Sequence, residues 1–514
     1  MEKAPRCCTG LAILLALSVP GMAADDRLKD CSNDKLNANK RIVACKNVVD
    51  DRASSPIEQA IAYLNRAIAL AGTGELDRAI SDYDRAIDLN PGNAFAYRKR
   101  AEAWIKKGAN DYAIADYDRA VRIEPTDAST YRDRADAWAG KTFYKRAITE
   151  YDWAISLDPT NVVGYNNRGW LRLSAGDVDR AIADFNEAIS LYPAYAGAFS
   201  NRGLAWSQKG DLDRAVADYE RAIAVDSNFA PAYDNRGLAW ASRRQYDRAI
   251  ADYNLAIMVD TGYASAYHNR AKAWTRKGQF NSAIADYDKA ISLNPQYASA
   301  YVGRCYAWLY IDKYNRAIAD CNEAISLNYS YADAYEGSAL ATIYRTDYSE
   351  AFGMYSKAIR LARKFPGGYL NRGILGIYFG SHSKVESDFE QAVKLDPNDA
   401  YNAIWLDLAR RREGLPSVLR DAPLNMTKWP APVVRLLMGE LTPDAALTAA
   451  DSPDATVRNE QVCEANFYIA EFERLRHRDN EALRLYRLAL TGCPRDFIEY
   501  TAAVMALRAS GNAP

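Results

Sequence analysis

The sequence predicts an all-α protein, an α-solenoid of stacked helix pairs. Three observations predict it. A 34-residue period runs through most of the chain, alanine or glycine recurs at fixed places within it, and turn and stop residues fall between the segments so defined. Blocks of 34 starting at Ala60 follow one another ten times without insertion or deletion, ending at Asp399. The twenty-seventh residue is alanine in every block, from Ala86 to Ala392. The eighth is Gly, Ala or Cys, as at Ala67, Gly169, Gly203 and Cys305. Small residues at such positions let two antiparallel helices approach closely, and the aromatic residues at the fourth and twenty-fourth positions (Tyr97, Tyr117; Tyr165, Phe185) fill what remains.

The turn chemistry fits two helices per block. Gly74, Gly108, Gly176, Gly210 and Gly278 stand between them. Three positions later, Asp77, Asp111, Asp179, Asp213, Asp247, Asn281, Asn315, Ser349 and Ser383 read as N-caps of the second helix. Proline at the thirty-second position (Pro91, Pro125, Pro159, Pro193, Pro295, Pro397) stops that helix. Together with tryptophan at the eleventh position (Trp104, Trp138, Trp206, Trp240, Trp274, Trp308), this pattern resembles the tetratricopeptide repeat. The resemblance covers residues 60–399 and implies a right-handed superhelix whose concave groove takes proteins or peptides.

One feature departs from that family's usual pattern. The seventh residue is arginine in nine blocks (Arg66, Arg100, Arg134, Arg168, Arg202, Arg236, Arg270, Arg304, Arg372) and the twenty-third is acidic in nine (Asp82, Asp116, Glu150, Asp184, Asp218, Asp252, Asp286, Asp320, Asp388). The exceptions, Ser338 and Met354, belong to the same block. Present together and lost together, the two imply an ion pair at the helix seam, within a repeat or between neighbours, and not a strip of arginines for an anionic ligand.

The ends are different. Lys3 and Arg6, the apolar run Leu11–Pro20 and the small residues before position 24 read as a cleavable secretory signal over residues 1–23. The chain is therefore expected in the periplasm or secreted, without a membrane anchor. Six cysteines follow, and an even number in an oxidising compartment points to disulfides. Cys31 with Cys45 would staple a polar N-terminal cap, residues 24–59. Cys463 with Cys493 would tie a degenerate repeat, residues 463–496. Cys305 and Cys321 face each other across one block and read either as a bond or as two buried thiols. Between array and degenerate repeat, residues 400–462 hold a capping helix (Tyr401, Ile404, Trp405, Leu408) and a proline-punctuated insert. Residues 463–514 hold the degenerate repeat and a C-terminal helix.

Function is read from what is present. Lys and Arg total 65 against 66 Asp and Glu. That balance gives no support to a nucleic-acid partner. The three histidines, His268, His382 and His477, are isolated, and no cysteine pair has metal-ligand spacing, so no metal, cofactor or catalytic residue is assigned. Groove-facing positions of the last three blocks are apolar and aromatic: Tyr306, Leu309 and Tyr310; Leu340, Ile343 and Tyr344; Ile374, Ile377 and Tyr378. Such a stripe marks a protein contact surface, filled either by an outside partner or by the chain's own C-terminal segment.

Lys428-Trp429-Pro430, Val434 to Leu437, Gly439, Thr442, Glu464-Ala465-Asn466-Phe467-Tyr468 and Phe497-Ile498-Glu499-Tyr500 resemble the end of the NlpI-type repeat lipoproteins. These are envelope adaptors that bring peptidoglycan hydrolases to a processing protease. The resemblance implies an envelope scaffold, although this chain has more repeats, an added cysteine pair and no lipoprotein signal. A homodimer or larger structural oligomer built through the tail, and an enzyme with its site in the tail, are the alternatives.

Overall fold

A computed structural model describes residues 28–380, 384–495 and 497–514. The expected signal over 1–23, with Cys7 and Cys8, lies outside the described residues, as do His382 and Ser383. Among the described residues are 27 α-helices and no strand, in two compact units divided after Arg243.

In the first unit α1 (Ala38–Asp50) packs on α2 (Pro56–Thr73), and antiparallel pairs follow. They are α2 with α3 (Leu76–Leu89), α4 (Ala94–Lys106) with α5 (Asn110–Ile123), α6 (Ala128–Gly140) with α7 (Tyr144–Leu157), α8 (Val162–Ser174) with α9 (Val178–Leu191), and α10 (Ala196–Gln208) with α11 (Leu212–Val225). The unit ends with α12 (Ala230–Ser242). The second unit begins with α13 (Tyr246–Val259) and pairs α14 (Ala264–Arg276) with α15 (Phe280–Leu293), α16 (Ala298–Tyr310) with α17 (Tyr314–Leu327), α18 (Ala332–Tyr344) with α19 (Tyr348–Leu361), and α20 (Pro366–Phe379) with α21 (Val385–Leu395). Then come α22 (Ala400–Arg412), the short α23 (Ala431–Leu437) and α24 (Pro443–Thr448), the pair α25 (Ala455–Leu475) and α26 (Asp479–Gly492), and α27 (Ile498–Ala509).

The small residues do what close approach requires. A Cβ added at Gly203 would come within 2.6 Å of the Tyr219 ring, and one at Gly169 within 2.8 Å of Phe185. The chain reverses between the helices of a pair through one left-handed residue: Gly74, Gly108, Gly176, Gly210 and Gly278, and at the same place in other blocks Thr142, Arg244, Asp312 and Thr346. That reversal starts the second helix one residue before the aspartate expected to cap it. Asp77, Asp111, Asp179, Asp213 and Asp247 are therefore not N-caps but lie inside the first turn. There they favour the helix dipole, and each pairs with a cation thirty residues on: Lys107, Lys141, Lys209, Arg243 and Lys277. Side-chain caps occur mostly on first helices, where Asn93, Asp127, Asn161 and Asp399 accept from backbone amides and Ser55 with Glu58 forms a capping box. On the second helices α11 and α19 the caps are Asp211 and Asp347, two residues before the position expected.

In eight blocks the arginine makes a fork on its own acid. Arg202 Nε and Nη2 hold the two oxygens of Asp218 at 2.8 and 2.6 Å. The same bidentate contact joins Arg66 to Asp82, Arg100 to Asp116, Arg168 to Asp184, Arg270 to Asp286, Arg304 to Asp320 and Arg372 to Asp388. In the Arg134 pair both nitrogens converge on one oxygen of Glu150. The third nitrogen, Nη1, reaches back to the second helix of the preceding block. Its acceptors are Asp84, Asp118, Asp152, Asn186, Asn254, Asp288 and Ser356. These seven arginines thus fasten their own helix pair and the join to the one before.

The three cysteine pairs are bonded: Cys31–Cys45, Cys305–Cys321 and Cys463–Cys493, with Cα separations of 4.6, 5.6 and 5.0 Å. Of the two readings of Cys305 and Cys321, the structure has the bond. It occupies the eighth and twenty-fourth positions, where other blocks set a small residue against an aromatic ring.

Helix α22 is not a cap with a polar outer face. Every residue from Asn402 to Ala409 is buried. Asp407 finds its partners inside the protein, pairing with Arg411 at 2.7 Å and accepting the Val418 amide at 3.1 Å, whereas Asn402 Oδ1 and the Trp405 indole are buried without a hydrogen-bond partner. Trp405 is fully buried in a core that joins α20–α22 to the tail helices. The degenerate repeat also begins earlier than Cys463, because α25 starts at Ala455.

Arg202→Ala strands Asp218 in a seam where it is 8% exposed, and should cost about 2–3 kcal/mol, less than for a fully buried pair because Arg202 keeps some contact with water. Lys209→Ala, which breaks an exposed pair with Asp179, should cost less than about 1 kcal/mol. Urea unfolding of the two variants checks the difference, and equal midpoints would reject the seam assignment.

Candidate partner-binding site

The nine stripe residues lie on α16, α18 and α20, and the stripe is not open. Leu309, Ile343, Ile374 and Ile377 are buried, the middle two at 1% exposure. Tyr306, Tyr310, Leu340, Tyr344 and Tyr378 are half-buried. The cover is the chain's own tail. Tyr344 shares a hydrogen bond with the Thr501 hydroxyl at 3.0 Å. Arg508 donates to the carbonyls of Ile343 and Tyr344 at 2.9 and 3.3 Å. Arg495 pairs with Asp312 at 2.5 Å and reaches the Tyr310 carbonyl. Tyr378 is drawn fully into the tail, donating to Glu471 at 2.6 Å. Of the two occupants the stripe admits, the internal one takes most of it.

Some of the tyrosines also serve the stack itself. Tyr310 lies flat on Phe280 with ring centroids 4.5 Å apart, and Tyr344 on Tyr314 at 5.0 Å. Tyr310 and Tyr344 therefore join one block to the previous one, a packing role that sequence spacing alone does not separate from exposure.

What the tail leaves uncovered is a pocket of about 330 Å³ between α16, α18, α20 and the segment from Arg495 to Met505. Five of the predicted residues with long side chains, Tyr306, Leu309, Tyr310, Leu340 and Tyr344, line it along with Ile343 and Ile374; Ile377 and Tyr378 do not. Sequence reasoning missed the polar part. Glu336 stands in the pocket at the fifth position of its block, and Asn371 donates to it at 2.7 Å. The available signal was its neighbours: the same position holds Val302 and Leu370 in the blocks on either side. Burial, helped by the charge of Asp333 and opposed by the Asn371 hydrogen bond, pushes the Glu336 carboxyl up to about 7. Burial likewise holds the Tyr344 phenol up at about 12. A carboxylate, an amide and several phenols arranged this way hold a guest by charge, hydrogen bonds and ring faces.

A second acidic cluster lies behind the pocket. Glu464 accepts from the Tyr401 hydroxyl at 2.6 Å and the Trp429 indole at 2.7 Å, and Tyr468 donates to Glu499 at 2.7 Å. These are residues of the tail motif, gathered in one core. Glu499 is buried, and burial with the nearby Glu464 carboxylate pushes it up to about 8. Among the described residues no group of three or more His, Cys, Asp or Glu is placed to hold a metal ion, and no helix is long and apolar enough to cross a membrane.

Tetratricopeptide-repeat family models match residues 60–93 and 264–297, and a related model matches 132–198 and 201–267. Those segments are tetratricopeptide repeats. Solved structures similar to the chain include a tetratricopeptide repeat protein from Parabacteroides merdae ATCC 43184, at 22% identity and a TM-score of 0.42 over 48% of this chain and 98% of that one. The Cut9–Hcn1 assembly of the APC/C aligns at 13% identity and 0.44 over 72% and 93%. YrrB, a tetratricopeptide protein with an unusual peptide-binding site, aligns at 22% and 0.28 over 36% and 95%. A scaffold of tetratricopeptide repeats is a protein-interaction scaffold, stacking helix pairs to present an extended surface.

The raised carboxyl of Glu499 has a pH consequence. The folded state keeps the proton that the unfolded chain gives up above about 4.5. Stability is then complete below that pH and falls by about 1.4 kcal/mol per pH unit until about 8. Glu499→Gln, which still accepts from Tyr468, should flatten that decline, as read from urea unfolding at pH 5 and pH 8. An unchanged slope would place the proton elsewhere.

Proposed function

We propose that this chain is an exported adaptor of the bacterial cell envelope, holding other envelope proteins on its repeat scaffold. The observation that carries the reading is the aromatic pocket left uncovered on the first-helix face of repeats whose remaining apolar surface the tail already occupies. A chain that only had to bury its own stripe would have no use for an open, charged recess there. Export is supported by the signal-like leader and by three bonded cysteine pairs, spread from Cys31 to Cys493, a usage suited to an oxidising compartment. The tail motif supports cell-wall hydrolases or their processing proteases as the clients.

Two measurements test this. Protein recovered from the periplasm should show no maleimide-reactive thiol at its last six cysteines until it is reduced. Tagged protein crosslinked in envelope extract should retain a hydrolase or protease, and Leu340→Arg, which closes the pocket from α18, should lose it without lowering the melting temperature. Recovery of copies of the chain alone would favour a structural oligomer instead.

A further inference from the structure

We propose that the pocket between α16, α18, α20 and the tail is a binding site for a cationic amine, an alkylammonium group seated against Glu336 and the surrounding tyrosine rings. The inference is independent of the adaptor reading.

Charge bookkeeping comes first. The lining holds three charged side chains, Asp312, Glu336 and Arg495. Arg495 is committed to Asp312 at 2.5 Å, and both are about half exposed, so this pair neutralises itself at the open end. Glu336 is left with a neutral amide, Asn371, as its partner. A carboxylate withdrawn from water without a cation is costly unless something supplies the charge.

The structural duty of Glu336 does not explain its charge. Asn371 stands at the sixth position of its block and bonds to the fifth residue of the preceding one. The same rung occurs in the first unit, where Asn201 donates to Asn166 at 2.9 Å and Asn235 to the Ser200 hydroxyl at 3.1 Å. Neutral acceptors suffice for that join. A glutamate there provides the same oxygen plus a negative charge that the stack does not use.

The walls suit the same guest. Tyr306 and Tyr355 both lie close enough to Glu336 to feel its charge, and Tyr310, Tyr344 and Tyr500 complete an aromatic lining. Tyrosine faces attract cations, more strongly where water is excluded. An anion would meet the carboxylate, and a purely apolar ligand would leave it unpaired. The volume, at the low end for small-molecule pockets of roughly 300–1,000 Å³, fits one short alkylammonium chain with room for its attachment. That group has two sources, a free amine or a lysine side chain offered by another protein.

Calorimetric titration of the full chain at pH 8 distinguishes them. The probes are n-pentylammonium against 1-pentanol, and the peptide Ala-Lys-Ala against its norleucine counterpart. Saturable binding of a cation is expected at or below about 10 mM, with the neutral partner about tenfold weaker or worse. Glu336→Gln keeps the Asn371 hydrogen bond, so it should fold with an unchanged or higher melting temperature and bind the cation about tenfold more weakly. Leu340→Arg places its own cation one turn from Glu336 and should abolish binding. Peptide tighter than pentylammonium identifies a lysine of a protein; pentylammonium without peptide identifies a free amine; either supports the site. Equal binding of 1-pentanol, unimpaired binding by Glu336→Gln, or no saturation by either cation overturns it, whatever proteins the chain retains.

Discussion

The repeat stack depends on one side chain used three ways. A guanidinium offers two parallel donors on one edge and a further donor beyond them, in a rigid plane. Here the edge grips the acid of the same block, and the remaining nitrogen takes an oxygen of the block before. Lysine at the seventh position would reach one of these acceptors but not all three in fixed geometry. The fork explains why charge is tolerated in a seam where other repeats of this kind are apolar. Each cation meets its acid at close range and keeps only limited contact with water, so the ion pairs set register and do not form a binding strip.

The block that lacks the clamp shows what the clamp supplies. In α18 and α19 its two positions hold Ser338 and Met354, and the Ser338 hydroxyl is buried without a partner. Other contacts concentrate at this block. The Cys305–Cys321 bond lies directly beneath Gly337, where an added Cβ would meet Cys321 Sγ at 2.7 Å. Arg508 and Thr501 of the tail attach to Ile343 and Tyr344 of the same helix. Tail docking and a cross-link stand where the internal ion pair is missing. Glu336, the charged residue with no cation, belongs to this block too.

Much of this was legible in the sequence, and the limits were physical. Period, small residues and turn glycines follow from local sterics, so residues such as Ala86 and Gly74 announce themselves. The Arg–acid pair was readable because Ser338 and Met354 lose both members at once. The third arm was not, since its acceptors vary among Asp, Asn and Ser. The caps were misplaced by two residues: Asp77 has the chemistry of a cap, but the left-handed reversal at Gly74 makes Glu75 the residue that precedes the helix. The apolar stripe Tyr401, Ile404, Trp405 and Leu408 reads as a capping helix, yet Asn402 and Asp407 off that stripe are buried too, because a side chain's polarity does not report whether it faces water or protein.

The tail was hardest to read because its partners are far away in sequence and its logic is not periodic. Two kinds of buried carboxylate coexist there. Glu471 is held below the usual carboxylate range even though burial opposes it, because Arg412, Tyr378 and Tyr486 converge on it. Glu464 and Glu499 have phenols and an indole but no cation, and burial raises both. The first kind is a charged anchor that ties α22 and α20 to α25. The second is satisfied as protonated acid or as a shared proton among neutral donors, which suits a core. Glu336 belongs with neither. It is raised like Glu499, but it borders an open pocket in place of a packed core, so its missing cation is one that can arrive from outside.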